Sequence, residues 1–202
     1  MKKYIMLSLL VFVMSSCKEE TKNQNIENET IAVSNKEIVA KPKTDKTGTF
    51  LCKINGEDWA YTKASGIVSR HKKTKKRTAI ITFTKQLDKG KESVQLFYDG
   101  ETNKLEKVTA ILKTPKKGGG RMGAMYQLLN EGGKRLPESE ISGTIDLSKP
   151  TASGRAQVTK MKIRFDEGNL EDASMSEVTF TPINFSGIGY SDSEKLFGTK
   201  NN

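Results

Sequence analysis

From residue 48 onward the chain alternates apolar and polar positions with a period of two. Phe50, Cys52 and Ile54 lead up to Asn55-Gly56, and Trp59 and Tyr61 follow at the same spacing. Successive side chains of a strand point to opposite faces, so this spacing lays one apolar face against a core. Asn-Gly between two such runs predicts a tight hairpin, because both turn residues tolerate positive φ. An apolar pair, Ile67-Val68, marks the next strand. Thr78–Thr84 then presents Ala79, Ile81 and Phe83 on one face, and Ser93–Tyr98 presents Val94, Leu96 and Tyr98 before a turn at Asp99-Gly100. Val108, Ala110 and Leu112 alternate again. Later strands are expected at Ile141–Leu147, Gln157–Phe165 (Met161, Ile163, Phe165) and Glu177–Phe185 (Val178, Phe180). Short strands at close spacing with Gly and Asn turns indicate an all-β fold, mainly an antiparallel sandwich or barrel.

One segment departs from the period. Arg121–Asn130 sets Met122, Met125, Tyr126 and Leu129 at i, i+3, i+4 and i+7, between Gly118-Gly119-Gly120 and Gly132-Gly133. That stripe predicts one short helix packed on the sheet or capping one end of it.

The beginning of the chain reads differently. Met1-Lys2-Lys3 precedes an apolar run from Tyr4 to Met14, then Ser15-Ser16-Cys17. The run is too short to cross a membrane and has the form of an export signal. Small residues directly before a cysteine resemble the lipobox of bacterial lipoproteins. In that family the cysteine receives a diacylglycerol and becomes the new N-terminus, so the resemblance implies a lipid anchor at Cys17 and a removed signal at 1–16. Each buried methylene contributes about 0.8 kcal/mol and one acyl chain holds only marginally, so two or three chains would anchor durably. Lys18-Glu19-Glu20 resembles the lysine–acid–acid tag that sends lipoproteins of Bacteroidota to the outer face of the outer membrane. Residues 17–47 form the lipidated cysteine and its tether. Their Lys, Glu, Asn and Thr content, without an aromatic residue, cannot bury enough apolar surface to offset the entropy of ordering. Such a coil reaches roughly 30 Å.

Residues 48–190 are the β-rich domain, large enough for one core. Residues 191–202 are polar apart from Leu196 and Phe197 and are expected to form a loose tail. Phe50-Leu51-Cys52-Lys53-Ile54-Asn55-Gly56-Glu57-Asp58-Trp59 resembles the opening hairpin of small flavobacterial outer-membrane lipoproteins. That likeness supports the β fold and the source group, and it implies no catalytic residue.

Charge narrows the partners. The formal net charge is +10, and loss of the signal removes Lys2 and Lys3. A lysine-rich basic chain favours anionic partners such as lipid headgroups, lipopolysaccharide phosphates or acidic glycans. Nucleic acid ranks last for an exported lipoprotein. Lipidation of Cys17 leaves Cys52 without a disulfide partner, and its place in the alternation suits a small buried hydrophobe. The densest charge lies at Arg70-His71-Lys72-Lys73-Thr74-Lys75-Lys76-Arg77, six cations in eight residues, expected at a hairpin tip. Arg70, Lys72, Lys73, Lys75, Lys76 and Arg77 are candidate contacts for phosphate or an acidic partner, against the plainer reading of a solvated tip that keeps an edge from pairing. Trp59 and Tyr61 are candidate stacking residues for a sugar ring, against the plainer reading of core. Lys113–Arg121 is glycine-rich but lacks the ending of a phosphate-binding loop. Asp166–Asp172 is acidic but lacks the spacing of a calcium loop.

No catalytic group assembles from these residues. His71 is the only histidine, and it lies within the lysine cluster. Zinc ligands are too few, so neither a metal nor a cofactor is expected. The sequence therefore points to a non-enzymatic outer-membrane lipoprotein, displayed at the cell surface with the periplasmic face as the alternative, that acts as a binding or accessory subunit of an envelope protein complex. A surface adhesin or glycan-binding module is the alternative, and a hydrolase using two carboxylates ranks below both.

Overall fold

A computed structural model describes residues 48–128 and 140–198. The signal 1–16, Cys17, the tag Lys18-Glu19-Glu20 and the rest of the tether lie outside the described residues, as do Leu129, Asn130 and positions 199–202.

The described chain builds twelve strands and one short helix. Strands β1 (Thr49–Ile54) and β2 (Glu57–Tyr61) form the opening hairpin. Its turn is Asn55-Gly56, with φ of 49° and 83°, as the Asn-Gly signal requires. A register shift between Phe50 and Cys52 breaks the expected alternation. Leu51 turns inward and Phe50 is left 55% exposed, because a bulge flips every residue before it to the other face.

The remaining strands are β3 (Lys63–Arg70), β4 (Arg77–Gln86), β5 (Lys91–Asp99), β6 (Leu105–Pro115), β7 (Arg121–Gln127), β8 (Ile141–Asp146), β9 (Thr151–Val158), β10 (Lys160–Ile163), β11 (Glu177–Thr179) and β12 (Ile183–Asp192). They hydrogen-bond in the order β11-β10-β7-β6-β5-β4-β3-β12-β9-β8. Every neighbouring pair is antiparallel except β12 with β3. The arrangement is sandwich-like and is not a closed barrel.

Strand β12 makes the corner between the two layers. Its first part pairs with β9 and its end, Tyr190–Asp192, pairs with β3, with a register shift between Phe185 and Ile188. Gly187 at φ 69° supplies the backbone that this bend needs. Gly66 faces Tyr190 at the parallel joint, where a Cβ would lie 2.6 Å from the tyrosine Cβ. The layers meet through Phe83 of β4 and Tyr98 of β5, whose rings lie 5.5 and 6.4 Å from that of Phe185. The Tyr98 hydroxyl donates to the Arg155 carbonyl across the core at 3.1 Å. Ala79, Ile81, Val94, Leu96 and Val108 are fully buried around these rings. Each large apolar side chain buried this way contributes about 1.5–3 kcal/mol.

Four expectations change, the first being that Gln157–Phe165 is divided between the end of β9 and β10, with Phe165 beyond β10 and 57% exposed. Arg121–Gln127 is strand β7, not a helix. It pairs with β6 from Thr109↔Gln127 to Pro115↔Arg121. Gly118, Gly119 and Gly120 all take positive φ and form the hairpin turn rather than a helix end. Ala124 and Tyr126 face the core at period two, and Met125 lies on the other face between them, so the helical stripe was a coincidence of spacing. The one α-helix among the described residues is instead α1 (Ser193–Phe197), in the segment expected to be a loose tail. The run Glu177–Phe185 divides into β11 and β12 at Pro182, whose missing N–H cannot serve a continuous ladder.

Candidate functional site

The basic cluster occupies the tip between β3 and β4, with Arg70 and Arg77 as the last paired residues of the hairpin. Within the turn the His71 amide donates to the Lys76 carbonyl at 2.9 Å, and the Lys75 amide donates to the His71 carbonyl at 2.8 Å. The Thr74 amide donates to His71 Nδ1 at 3.1 Å. These bonds give the tip a defined shape.

The two arginines at its base are locked. Arg70 donates through Nε to Glu194 at 2.7 Å, through Nη2 to Glu101 at 2.8 Å and through Nη1 to the Lys75 carbonyl at 2.6 Å. Arg77 donates through Nε to the other Glu194 oxygen at 2.9 Å, through Nη2 to Asp192 at 2.6 Å and through Nη1 to the Gly100 carbonyl at 3.0 Å. Glu194 thus bridges two guanidinium groups whose planar forks match carboxylate geometry. The Arg70 hydrogen bond holds the Glu194 carboxyl below its ordinary range, with the charges of Arg70 and Arg77 adding to the effect. The Asp192 side chain also accepts from the Glu194 amide at 3.1 Å and so caps α1. The sequence aligns these groups because β12 runs parallel to β3, which delivers Asp192 and α1 to the end where the hairpin tip emerges.

A third cation is matched as well. Lys76 pairs with Glu106 at 2.6 Å, and that contact raises its pKa. The neighbouring turn is ordered by Asp99, which accepts from the Thr102 amide at 2.7 Å and the Glu101 amide at 2.9 Å. The Thr102 bond is the main reason the Asp99 carboxyl titrates below its usual range. Lys72, Lys73 and Lys75 are exposed and have no ion-pair partner among the described residues. The six candidate contacts therefore divide into a braced base (Arg70, Lys76, Arg77) and an unmatched crest (Lys72, Lys73, Lys75).

The other candidates fall elsewhere. Trp59 is 4% exposed, and its indole N–H donates to Glu92 Oε2 at 2.9 Å. Tyr61 is half-buried with its ring 5.0 Å from that of Phe83. Burial takes Trp59 out of reach of a sugar ring, which corrects its stacking assignment, while Tyr61 stays at the edge of the core; the hairpin folds down onto β4 and β5 rather than standing away from the sheet. Glu92 is itself core-facing, and its other oxygen accepts from the Lys113 amide at 3.0 Å. Cys52 is fully buried, and burial pushes its thiol up to about 12. The glycine-rich segment after Lys113 is a hairpin turn stitched to the acidic turn. The Lys117 amide donates to the Asn169 carbonyl at 3.0 Å, and Lys117 Nζ donates to the Gly168 carbonyl at 2.9 Å. Among the described residues no group of three or more His, Cys, Asp or Glu side chains gathers as metal ligands. Among them no helix is long and apolar enough to cross a membrane.

Sequence reasoning did not single out Glu101, Glu106, Asp192 or Glu194. The last two had one available cue, Asp192-Ser193-Glu194, which is a helix-cap pattern followed by an acid in the first turn. Comparison of the chain with family models, with curated proteins and with solved structures finds no match in any of the three.

Proposed function

We propose that the protein is a non-enzymatic binding or accessory subunit of an envelope protein complex, anchored through Cys17 to the outer membrane and displayed at the cell surface. The lipobox-like Ser15-Ser16-Cys17 and the acidic tag Lys18-Glu19-Glu20 support the address. The observation that carries the binding role is the crest of Lys72, Lys73 and Lys75, unmatched by acids on a hairpin whose base is tied down by Glu101, Asp192 and Glu194. Like charges held close together are costly to leave uncompensated, and lysine meets phosphate or carboxylate as a point charge without directional demand. The partner surface is therefore acidic or phosphate-rich, as on a protein with exposed carboxylates or on lipopolysaccharide.

Chemistry by the chain itself has little support. Cys52 is shut away from solvent with its thiol held protonated, and His71 is engaged by the turn it helps to form. The glycan-stacking alternative has less support, since Trp59 is buried and only Tyr61 of the pair keeps some exposure. Native protein captured from detergent-solubilised envelope should bring down a partner in stoichiometric amount, and recovery of monomer alone would contradict the proposal. Mass spectrometry of the native N-terminus should find acyl chains on Cys17; an unmodified thiol there would remove the anchor.

A further inference from the structure

A second cationic site lies away from the crest, on the layer formed by β8, β9 and β12. A cleft of about 660 Å³ opens there, bordered by the turn before β6. This is within the size range of small-molecule sites. Leu105, Ala156 and Ile183 border it but are only 7%, 2% and 1% exposed. Its solvent-facing surface therefore comes from half-buried Ile141, exposed Pro182 and the polar side chains that point outward.

Four of these form one line across the strands. Lys104 bridges to Thr144, Thr144 is opposite Arg155, and Arg155 is opposite Asn184. Directly paired residues on one face have Cβ atoms about 4.5–5.5 Å apart, so long side chains from this line can close on one ligand. Ser142 and Gln157 make a second, parallel pair beside it. All six are exposed. Lys104 and Arg155 have no ion pair among the described residues, in contrast to Arg70 and Arg77. The floor is shaped by Gly143, where any Cβ would run into the Arg155 carbonyl and the Ala156 backbone. That close approach holds β8 tight against β9, so Thr144 and Arg155 stay side by side at the cleft.

We infer that this cleft binds an oxyanion carried on a hydroxylated scaffold, a sugar bearing a phosphate or a carboxylate. Arg155 supplies a planar fork for two oxygens and Lys104 a mobile point charge on the far side of Thr144. Thr144, Ser142, Gln157 and Asn184 both donate and accept, which suits the hydroxyl groups of a sugar ring. Among the described residues no aromatic borders the cleft, so recognition runs through charge and hydrogen bonds rather than ring stacking. The site is separate from the lysine crest and does not depend on the accessory role proposed above.

Isothermal titration of the full-length, detergent-solubilised protein tests this with four probes: glucose 6-phosphate, glucuronate, glucose and inorganic phosphate. At least one of the two anionic sugars should bind, at least tenfold more tightly than glucose and more tightly than inorganic phosphate. Arg155→Gln should weaken that binding at least tenfold, and Arg155→Lys should restore only part of it, because the charge returns without the fork. Substituting Lys72, Lys73 and Lys75 together by Ala should leave it unchanged. The inference is overturned if neither anionic sugar binds, or if Arg155→Gln binds as well as the native protein. It is also overturned if inorganic phosphate matches the sugar phosphate, or if the triple lysine variant is the one that loses binding. Arg155 is exposed, so thermal unfolding of Arg155→Gln should coincide with that of the native chain and exclude misfolding as the cause of any loss.

Discussion

Arg77 and Arg155 are the same kind of residue used in opposite ways. Arg77 is 21% exposed at the side chain and spends its guanidinium on Asp192, Glu194 and a backbone carbonyl. Arg155 stands on an outer strand face with a polar row on either side and, among the described residues, no acid against it. The first ties the C-terminal helix to the β3–β4 hairpin; the second has no ion-pair partner among the described residues. Composition alone cannot tell such arginines apart. What separates them is whether the fold brings a carboxylate to each, and the parallel joint between β12 and β3 does so at one end only.

This contrast can be broken most forcefully at Asp192, whose side chain is 4% exposed. Asp192→Ala removes a charge-assisted bond to Arg77 and the cap of α1 together. Loss of a hydrogen bond to a charged group costs about 1.5–3 kcal/mol, and equilibrium urea unfolding should register a decrease of that size. An unchanged midpoint would show that the brace contributes nothing to stability.

A smaller effect is expected inside the core. Trp59→Phe keeps the ring but removes the donor to Glu92, and a buried group left short of a partner costs about 1–3 kcal/mol. Its lower end is the expectation here, because Glu92 keeps the Lys113 amide and lies 3.9 Å from Lys85. A drop in denaturation midpoint with an unchanged slope would confirm it; no drop would mean that Glu92 needs only one donor.

Acid should loosen the brace by degrees. The Glu194 carboxyl titrates below its ordinary value of 4.5 because it is bonded to Arg70. A carboxylate with a lowered folded-state pKa adds stability that is complete above the ordinary value and disappears as pH falls through the lowered one. Protection factors of the α1 amides, corrected for the intrinsic pH dependence of exchange, should therefore be steady from neutral pH down to about 4.5. Protection should fall below that, and the fall should be absent in Glu194→Gln. Helix protection that does not respond to pH would separate Glu194 from the latch. At the far end of the scale, Arg155→Gln should change stability by no more than about 0.5 kcal/mol, the ordinary range for surface positions without partners. A larger loss would mean that Arg155 is structural and the contrast with Arg77 is false.

Much of the fold was legible because period-two alternation survives wherever a strand has one buried face. Ala79, Ile81 and Phe83, or Val94, Leu96 and Tyr98, declare their strands and their orientation at once. Met122–Leu129 misled because two spacings fitted the same residues. Only pairing with β6 decides for the strand, and pairing is not a local property. Strand β9 was hidden at its start because Thr151-Ala152-Ser153-Gly154 carries no large apolar residue. Gly154 is needed there because a Cβ would lie 2.7 Å from Phe185 and from the Thr144 carbonyl. The basic tip was visible as a run of charge, and its division into braced and free cations was not. That division depends on acids 31, 117 and 124 residues away. The cleft was equally out of sight, since Lys104, Thr144, Arg155 and Asn184 meet only once the strands are in register.

The central claim is that the unmatched lysines, not the braced arginines, make the contact with the partner. Its most direct measurement is capture from solubilised envelope with the native chain and with a variant carrying Ala at positions 72, 73 and 75. The account predicts stoichiometric partner on the native protein and its loss from a variant that unfolds at the same temperature. Equal recovery on both would contradict it.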